Sequence, residues 1–62
     1  MVRRLRERAG LTREQLAVKA ELSSTTVYLV ERARLISEAT ATKIARVLGV
    51  SAKRLLAAEA HP

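Results

Sequence analysis

The sequence predicts an all-α domain of five short helices, and two features of the chain lead to that prediction. Apolar residues recur at spacings of three and four, and no stretch shows the alternation of a half-buried strand. Between Leu11 and Val30 one pattern also occurs twice: an apolar residue, a hydroxyl residue, a polar stretch and another apolar residue. Each copy is typical of a helix start, because a Ser or Thr oxygen can accept from free backbone N–H groups of the first turn.

The first helix is predicted over residues 2–9, where Val2, Leu5 and Ala9 have helical spacing. Gly10 follows it and suits the left-handed conformation in which many helices end. This segment is rich in arginine and carries Arg3, Arg4, Arg6 and Arg8.

The second and third helices are predicted over residues 13–20 and 24–32. Thr12 caps the second helix, and Gln15 completes a capping box with it. Ser23 caps the third helix after a turn of about four residues. Two short helices joined in this way form a helix-turn-helix, a motif that places its second helix in a DNA groove.

After a loop over residues 33–36, Ser37 caps a fourth helix over 38–48, which Gly49 ends. The helix-start pattern occurs again from Val50 and opens a short fifth helix toward Ala58. The domain is therefore predicted over residues 1–58, with a frayed tail over 59–62. The predicted core residues of helices two to four are Leu16, Ala17, Ala20, Val27, Val30, Ala41, Ile44, Ala45 and Leu48.

Composition narrows the classes of function. The 62 residues make one domain, and a net charge of +6 favours an anionic partner. Tyr28 is the only aromatic residue, which disfavours base-stacking RNA modules and amphipathic membrane anchors. No apolar run approaches the length of a membrane span. With no cysteine, a lone histidine at His61 and no carboxylates placed as an acid/base pair, we expect no enzyme activity, metal or cofactor.

The run from Leu5 to Leu56 resembles the lambda-repressor-like, Cro-type helix-turn-helix domain, also called the xenobiotic-response-element family. The matching segments are Leu5-Arg6, Ala9-Gly10-Leu11-Thr12, Leu16-Ala17, Leu22-Ser23, Val27, Val30-Glu31, residues 44–51 and Leu55-Leu56. The resemblance implies a compact five-helix bundle whose third helix recognises double-stranded DNA, usually as a homodimer on a near-palindromic operator. It favours a cytoplasmic, nucleoid-associated transcription regulator of the repressor type, bacterial or phage-encoded.

The sequence departs from the family pattern at four positions. Arg13 replaces the usual Gln at the start of the second helix. Glu21 replaces the usual Gly of the turn, so we expect either a left-handed glutamate at a cost of about 1 kcal/mol or a different turn. Ala33 and Ile36 stand where the family often has Gly and Pro, which alters the loop after the third helix.

The resemblance places Ser24, Thr25 and Leu29 at base-reading positions. Hydroxyls pair promiscuously, whereas Thr25 and Leu29 could pack on a thymine methyl, so direct base readout should be modest. The alternative is that the hydroxyls only cap the helix, an interpretation we favour for Ser23. The predicted DNA-contacting residues are Thr12, Arg13, Ser23, Ser24, Thr25, Tyr28, Leu29, Arg32 and Arg34.

The charged residues with expected roles separate into four groups. Arg13 is expected to hold a phosphate or reach a guanine, the alternative being a solvated side chain. Arg32 and Arg34 flank the loop where the family contacts phosphate. Arg6 and Glu31 match positions that form a partly buried, structural ion pair. A solvated face is the preferred interpretation for Arg3, Arg4, Arg8, Lys43 and Arg46.

The rival hypothesis is a protein-interaction module of the same fold, such as an antitoxin or adaptor with an acidic protein partner. DNA binding is favoured if Arg13, Arg32 and Arg34 lie on one face with the exposed side of the third helix. Leu55, Leu56 and neighbouring alanines are the predicted dimer surface. Packing within the domain is the alternative for them, and it should take at least Leu55.

Overall fold

The helices of the computed structural model follow the predicted order. It describes residues 1–33 and 36–60, and these form five helices and no strand. The helices are α1 (Val2–Arg8), α2 (Arg13–Lys19), α3 (Ser24–Ala33), α4 (Glu38–Leu48) and α5 (Ala52–Ala60). Their ends differ from the predicted ends by no more than two residues. None of these described helices is long and apolar enough to cross a membrane.

The starts of α2 to α5 are made by hydroxyl caps, as predicted. Thr12 Oγ1 accepts from the Gln15 backbone N–H at 3.1 Å, and Gln15 Oε1 accepts from the Thr12 N–H at 2.8 Å. In the same way, a hydroxyl oxygen accepts from the backbone N–H three residues on at the starts of α3 (Ser23), α4 (Ser37) and α5 (Ser51). Each cap satisfies a backbone donor that the helix itself leaves free.

Three of the helices, α1, α2 and α4, are each followed by a residue in the left-handed conformation. Gly10 and Gly49 both have φ +72°, and Glu21 has φ +56°. After Glu21, the Leu22 N–H donates to the Ala17 carbonyl at 2.8 Å, which closes the turn between α2 and α3. The expected left-handed glutamate is confirmed. The strain of about 1 kcal/mol is tolerated because the same turn packs Leu22 against the core.

The core lies where all five helices meet. α3 packs on α1 and α2, and α4 packs on α2 and α5. Its largest fully buried side chains are Val2, Leu16, Val27, Val30, Ile44 and Leu55. Leu55 therefore belongs to the core of its own chain and is not available as a dimer contact, whereas Leu56 is half-buried. Leu48, predicted to face inward, is also only half-buried and packs at the edge of the core.

Candidate nucleic-acid interface

The outer side of α3 is a continuous exposed face. Ser24, Thr25, Tyr28, Leu29 and Arg32 are all exposed and recur at the spacing of one helix face. Tyr28 and Leu29 keep 42% and 40% of their surface in contact with solvent. Packing on the opposite side of the helix accounts for this orientation, because the valines between these residues are fully buried.

The capping hydroxyls predicted to contact DNA lie beside this face. Thr12 and Ser23 are both exposed and already accept backbone hydrogen bonds at the starts of α2 and α3. Ser23 Oγ also lies 2.9 Å from Thr26 Oγ1. Both hydroxyls therefore cap helices. A contact with DNA would be made in addition to the backbone hydrogen bond that each hydroxyl already accepts.

Arg6 and Glu31 form a nearly buried, two-pronged ion pair between α1 and α3. Arg6 Nε donates to Glu31 Oε2 at 2.7 Å, and Arg6 Nη2 donates to Oε1 at 3.2 Å. The remaining terminal nitrogen donates to the Leu11 carbonyl at 2.8 Å. The two side chains are 10% and 3% exposed, so the pair joins α1, the following turn and α3 beneath the surface.

Glu31 has a second cationic partner that the sequence analysis did not predict. Arg13 Nε donates to Glu31 Oε1 at 3.2 Å, and its guanidinium lies over the Tyr28 ring at 5.4 Å from the centroid. Arg13 is 44% exposed, so it covers the buried carboxylate from the solvent side. No local spacing could have indicated these contacts, because the partners lie 18 and 15 positions further along the chain.

The contacts around Glu31 shift the pKa values of Glu31 and Arg6. Burial alone raises the pKa of Glu31, but hydrogen bonds from Arg6 and Arg13 outweigh it and hold that pKa below its ordinary value. The bond to Glu31 also raises the pKa of Arg6. The fold therefore selects the ionised form of the carboxyl group.

The lowered pKa of Glu31 predicts an acid-dependent loss of stability. Its contribution is complete above the pKa in the unfolded chain, about 4.3, and is lost as pH falls through the lower folded value. Denaturant unfolding measured from pH 7 to pH 2 should show this decline. Glu31→Gln should flatten it, whereas Glu14→Gln, at an exposed carboxylate of α2, should retain it. A wild-type profile with the same slope as Glu31→Gln would contradict the prediction.

Two clefts meet at Arg13. One, of about 280 Å³, lies between the starts of α2 and α3 and is lined by Arg13, Glu14, Ser24, Thr25 and Tyr28. The other, of about 380 Å³, is lined by Arg3, Arg13, Glu31 and Arg32, which come from α1, α2 and α3. We call the second the arginine cleft. Among the described residues that line it, the only carboxylate is the one already bound by two arginines, and the accessible side chains are cationic.

Arg3 was interpreted as part of a solvated face, and it is exposed. It pairs with Glu7 at 3.5 Å, an i,i+4 spacing visible in the sequence, and it also borders the arginine cleft. The other residues of that group, Arg4, Arg8, Lys43 and Arg46, are exposed as well. The remaining predicted contact residue, Arg34, lies outside the described residues. Of the predicted phosphate-contacting arginines, Arg13 and Arg32 line the same cleft, beside the outer face of α3.

Comparison with known proteins agrees with this architecture. A family model described as a helix-turn-helix domain matches residues 1–58. No curated protein and no solved structure matches the chain. The matched region includes α2, the left-handed turn and α3. Such domains are associated with DNA binding, and they are typically not enzymes. The chain therefore belongs to the helix-turn-helix domain family, of the Cro and lambda-repressor type.

Proposed function

We propose that this chain is a sequence-specific, double-stranded DNA-binding module of a transcription regulator, with α3 as the recognition helix. The observation that carries the proposal is the position of Arg13 and Arg32 in one cationic cleft beside the exposed face of α3. A helix inserted in the major groove has the two phosphate backbones on its flanks, so cations are needed beside the reading face and not only on it. The net charge of +6 adds long-range attraction to the same partner.

The recognition surface of α3 favours weak direct readout supplemented by DNA shape. Ser24 and Thr25 offer hydroxyls, Leu29 offers an apolar contact, and none of them makes the bidentate pairs typical of strong base selection. Much of the affinity should therefore come from phosphate contacts, with Arg13 and Arg32 as the main donors. Thr12 and Ser23 belong to the rim of the proposed contact area. Arg34 remains a proposed phosphate contact on the ground of its position in the sequence alone.

We also propose that two copies bind one near-palindromic operator. Recognition helices of a dimer enter successive major grooves about 34 Å apart. The domain measures 25 × 21 × 19 Å, so two copies fit side by side on one face of the duplex. Because Leu55 is buried, the proposed contact between copies narrows to Leu56 and the exposed alanines that follow it on α5.

Selection of bound duplexes from random DNA tests this function directly. We expect a palindromic consensus, bound by two copies in sedimentation measurements. Its affinity should fall as salt rises, because each neutralised phosphate contributes about −0.9 to the log–log slope. Arg13→Ala and Arg32→Ala should each flatten the slope by about one unit per subunit and weaken all sequences alike. Lys43→Ala, an exposed α4 cation outside both clefts, is the control that should leave the slope unchanged. An affinity independent of salt, or enrichment of no sequence, would contradict the proposal.

The apolar part of the readout is testable by removing one methyl group from DNA. If Leu29 packs on a thymine, replacing that base by uracil should weaken binding by about 1 kcal/mol per site, near the value of one buried methylene. Leu29→Ala should abolish the difference and leave the salt slope unchanged, since Leu29 carries no charge. Equal affinity for both bases at every half-site position would remove Leu29 from the readout.

A further inference from the structure

Arg13 is held on two sides by residues of its own chain. Its Nε–H donates a hydrogen bond to Glu31 Oε1 at 3.2 Å. Its guanidinium lies 5.4 Å from the Tyr28 ring centroid, within the range of about 6 Å for a cation–π contact. Among the described contacts its two terminal nitrogens donate to no acceptor. The held side chain therefore presents two terminal nitrogens, neither of them bonded to a described residue, at the junction of the two clefts.

This arrangement removes much of the freedom that an exposed arginine would otherwise lose on binding. A long side chain immobilised at an interface reduces affinity by an entropic cost, and positioning it beforehand lowers that cost. The Arg6–Glu31 pair fixes the carboxylate to which Arg13 binds, because the pair is nearly buried and Arg6 also donates to the Leu11 carbonyl. It also neutralises the carboxylate, so the charge of Arg13 remains available to an anion.

We propose that Tyr28 is a positioning residue for Arg13, so that Tyr28 strengthens DNA binding through the arginine and not through a contact of its own. The proposal rests on the proposed DNA-binding function. The group that Arg13 would receive is a backbone phosphate, because the arginine cleft adds Arg3 and Arg32 from neighbouring helices, and the one carboxylate among its described lining residues is already paired with two arginines. Tyr28 then acts through the face of its ring, and its hydroxyl is dispensable.

A double-mutant cycle on a duplex of the selected sequence tests the assignment. Tyr28→Phe keeps the ring and should bind as the wild type does. Tyr28→Leu keeps apolar volume and helix propensity but loses the cation–π contact, so its affinity should fall about threefold to tenfold. In the Arg13→Ala background the Tyr28→Leu change should have no further effect, because there is no arginine left to position. Thermal melts of every variant provide the check that each one is folded.

A second measurement follows Arg13 in the free protein. The Nε–H proton of Arg13, observed by NMR in ¹⁵N-labelled protein, should exchange slowly with water in the wild type and in Tyr28→Phe. It should exchange faster in Tyr28→Leu. Equal exchange in all three proteins would overturn the proposal, since Tyr28 would then not hold the side chain.

The outcomes separate the positioning role from the function on which it rests. If the wild type binds DNA but Tyr28→Phe is as weak as Tyr28→Leu, the hydroxyl touches the ligand and the positioning role is wrong. Additive losses for Tyr28→Leu and Arg13→Ala would overturn it equally, with DNA binding intact. If the wild type binds no duplex, the proposed function fails and this inference fails with it.

Discussion

Leu55→Ala is expected to lower the free energy of unfolding by about 2–5 kcal/mol, the cost of removing a fully buried leucine and leaving a cavity. In 62 residues this is a large part of the total stability, because so small a domain buries a limited share of its surface. Leu55 joins α5 to the core that contains Ile44 and Leu16. Its loss should therefore unfold the whole domain cooperatively and not only release the last helix.

Leu56→Ala is the matched control, one residue along the same helix. Leu56 is half-buried, so its truncation should cost clearly less than that of Leu55. Urea unfolding followed by circular dichroism at low protein concentration compares the two variants. Equal losses of stability would mean that α5 does not use Leu55 as its attachment to the core. If Leu56 lies at the proposed dimer contact, Leu56→Ala should weaken self-association more than it weakens the fold.

Arg6→Ala is expected to destabilise the domain by about 3 kcal/mol. Breaking a buried ion pair leaves an uncompensated charge, which typically costs about 3–5 kcal/mol. The lower end applies here because Arg13 still contacts Glu31 after the change. The variant also leaves the Leu11 carbonyl without the hydrogen bond that Arg6 donates. Chemical denaturation at neutral pH measures the loss.

Arg13→Ala is the comparison that makes the Arg6 prediction specific. Arg13 is 44% exposed, and solvent screens its pairing with Glu31, so its loss should cost no more than about 1 kcal/mol. Combining Arg6→Met with Glu31→Leu should recover much of the stability lost in Arg6→Ala, because a packed apolar pair often replaces a buried ion pair. If Arg6→Ala is no less stable than Arg13→Ala, the nearly buried pair does not contribute as its geometry implies.

Glu31 links the stability of the domain to its proposed DNA-binding surface. On its inner side it holds Arg6, which joins α1 to α3, and on its outer side it holds Arg13. A carboxylate beside a phosphate-binding surface would ordinarily repel the ligand, but here two arginines neutralise it. Variants of Glu31 should therefore alter folding and binding together, whereas Tyr28→Leu and Arg32→Ala should alter binding alone.

Local interactions account for the parts of this protein that the sequence by itself determined. The capping box of Thr12 and Gln15 spans three residues, and so does the cap at Ser23, so their geometry follows from neighbouring positions alone. The left-handed residues Gly10 and Glu21 end their helices through bonds that span at most five residues. Helix order, the helix-turn-helix and the buried face of α3 were predictable for the same reason: each depends on spacing along a single helix or turn.

Only the tertiary structure decided which side chains meet across helices. The Arg6–Glu31 pair could be expected from a family resemblance, but its second arginine and the stacking on Tyr28 could not. Those contacts join α2 to α3, and they exist because the packing of Leu16 and Val27 sets how the two helices lie against each other. The burial of Leu55 and the half-exposure of Leu56 likewise depend on how α5 turns against α4. Periodicity defines the apolar stripe of a helix, but the side chains on its edge are buried or exposed according to where the neighbouring helix lies.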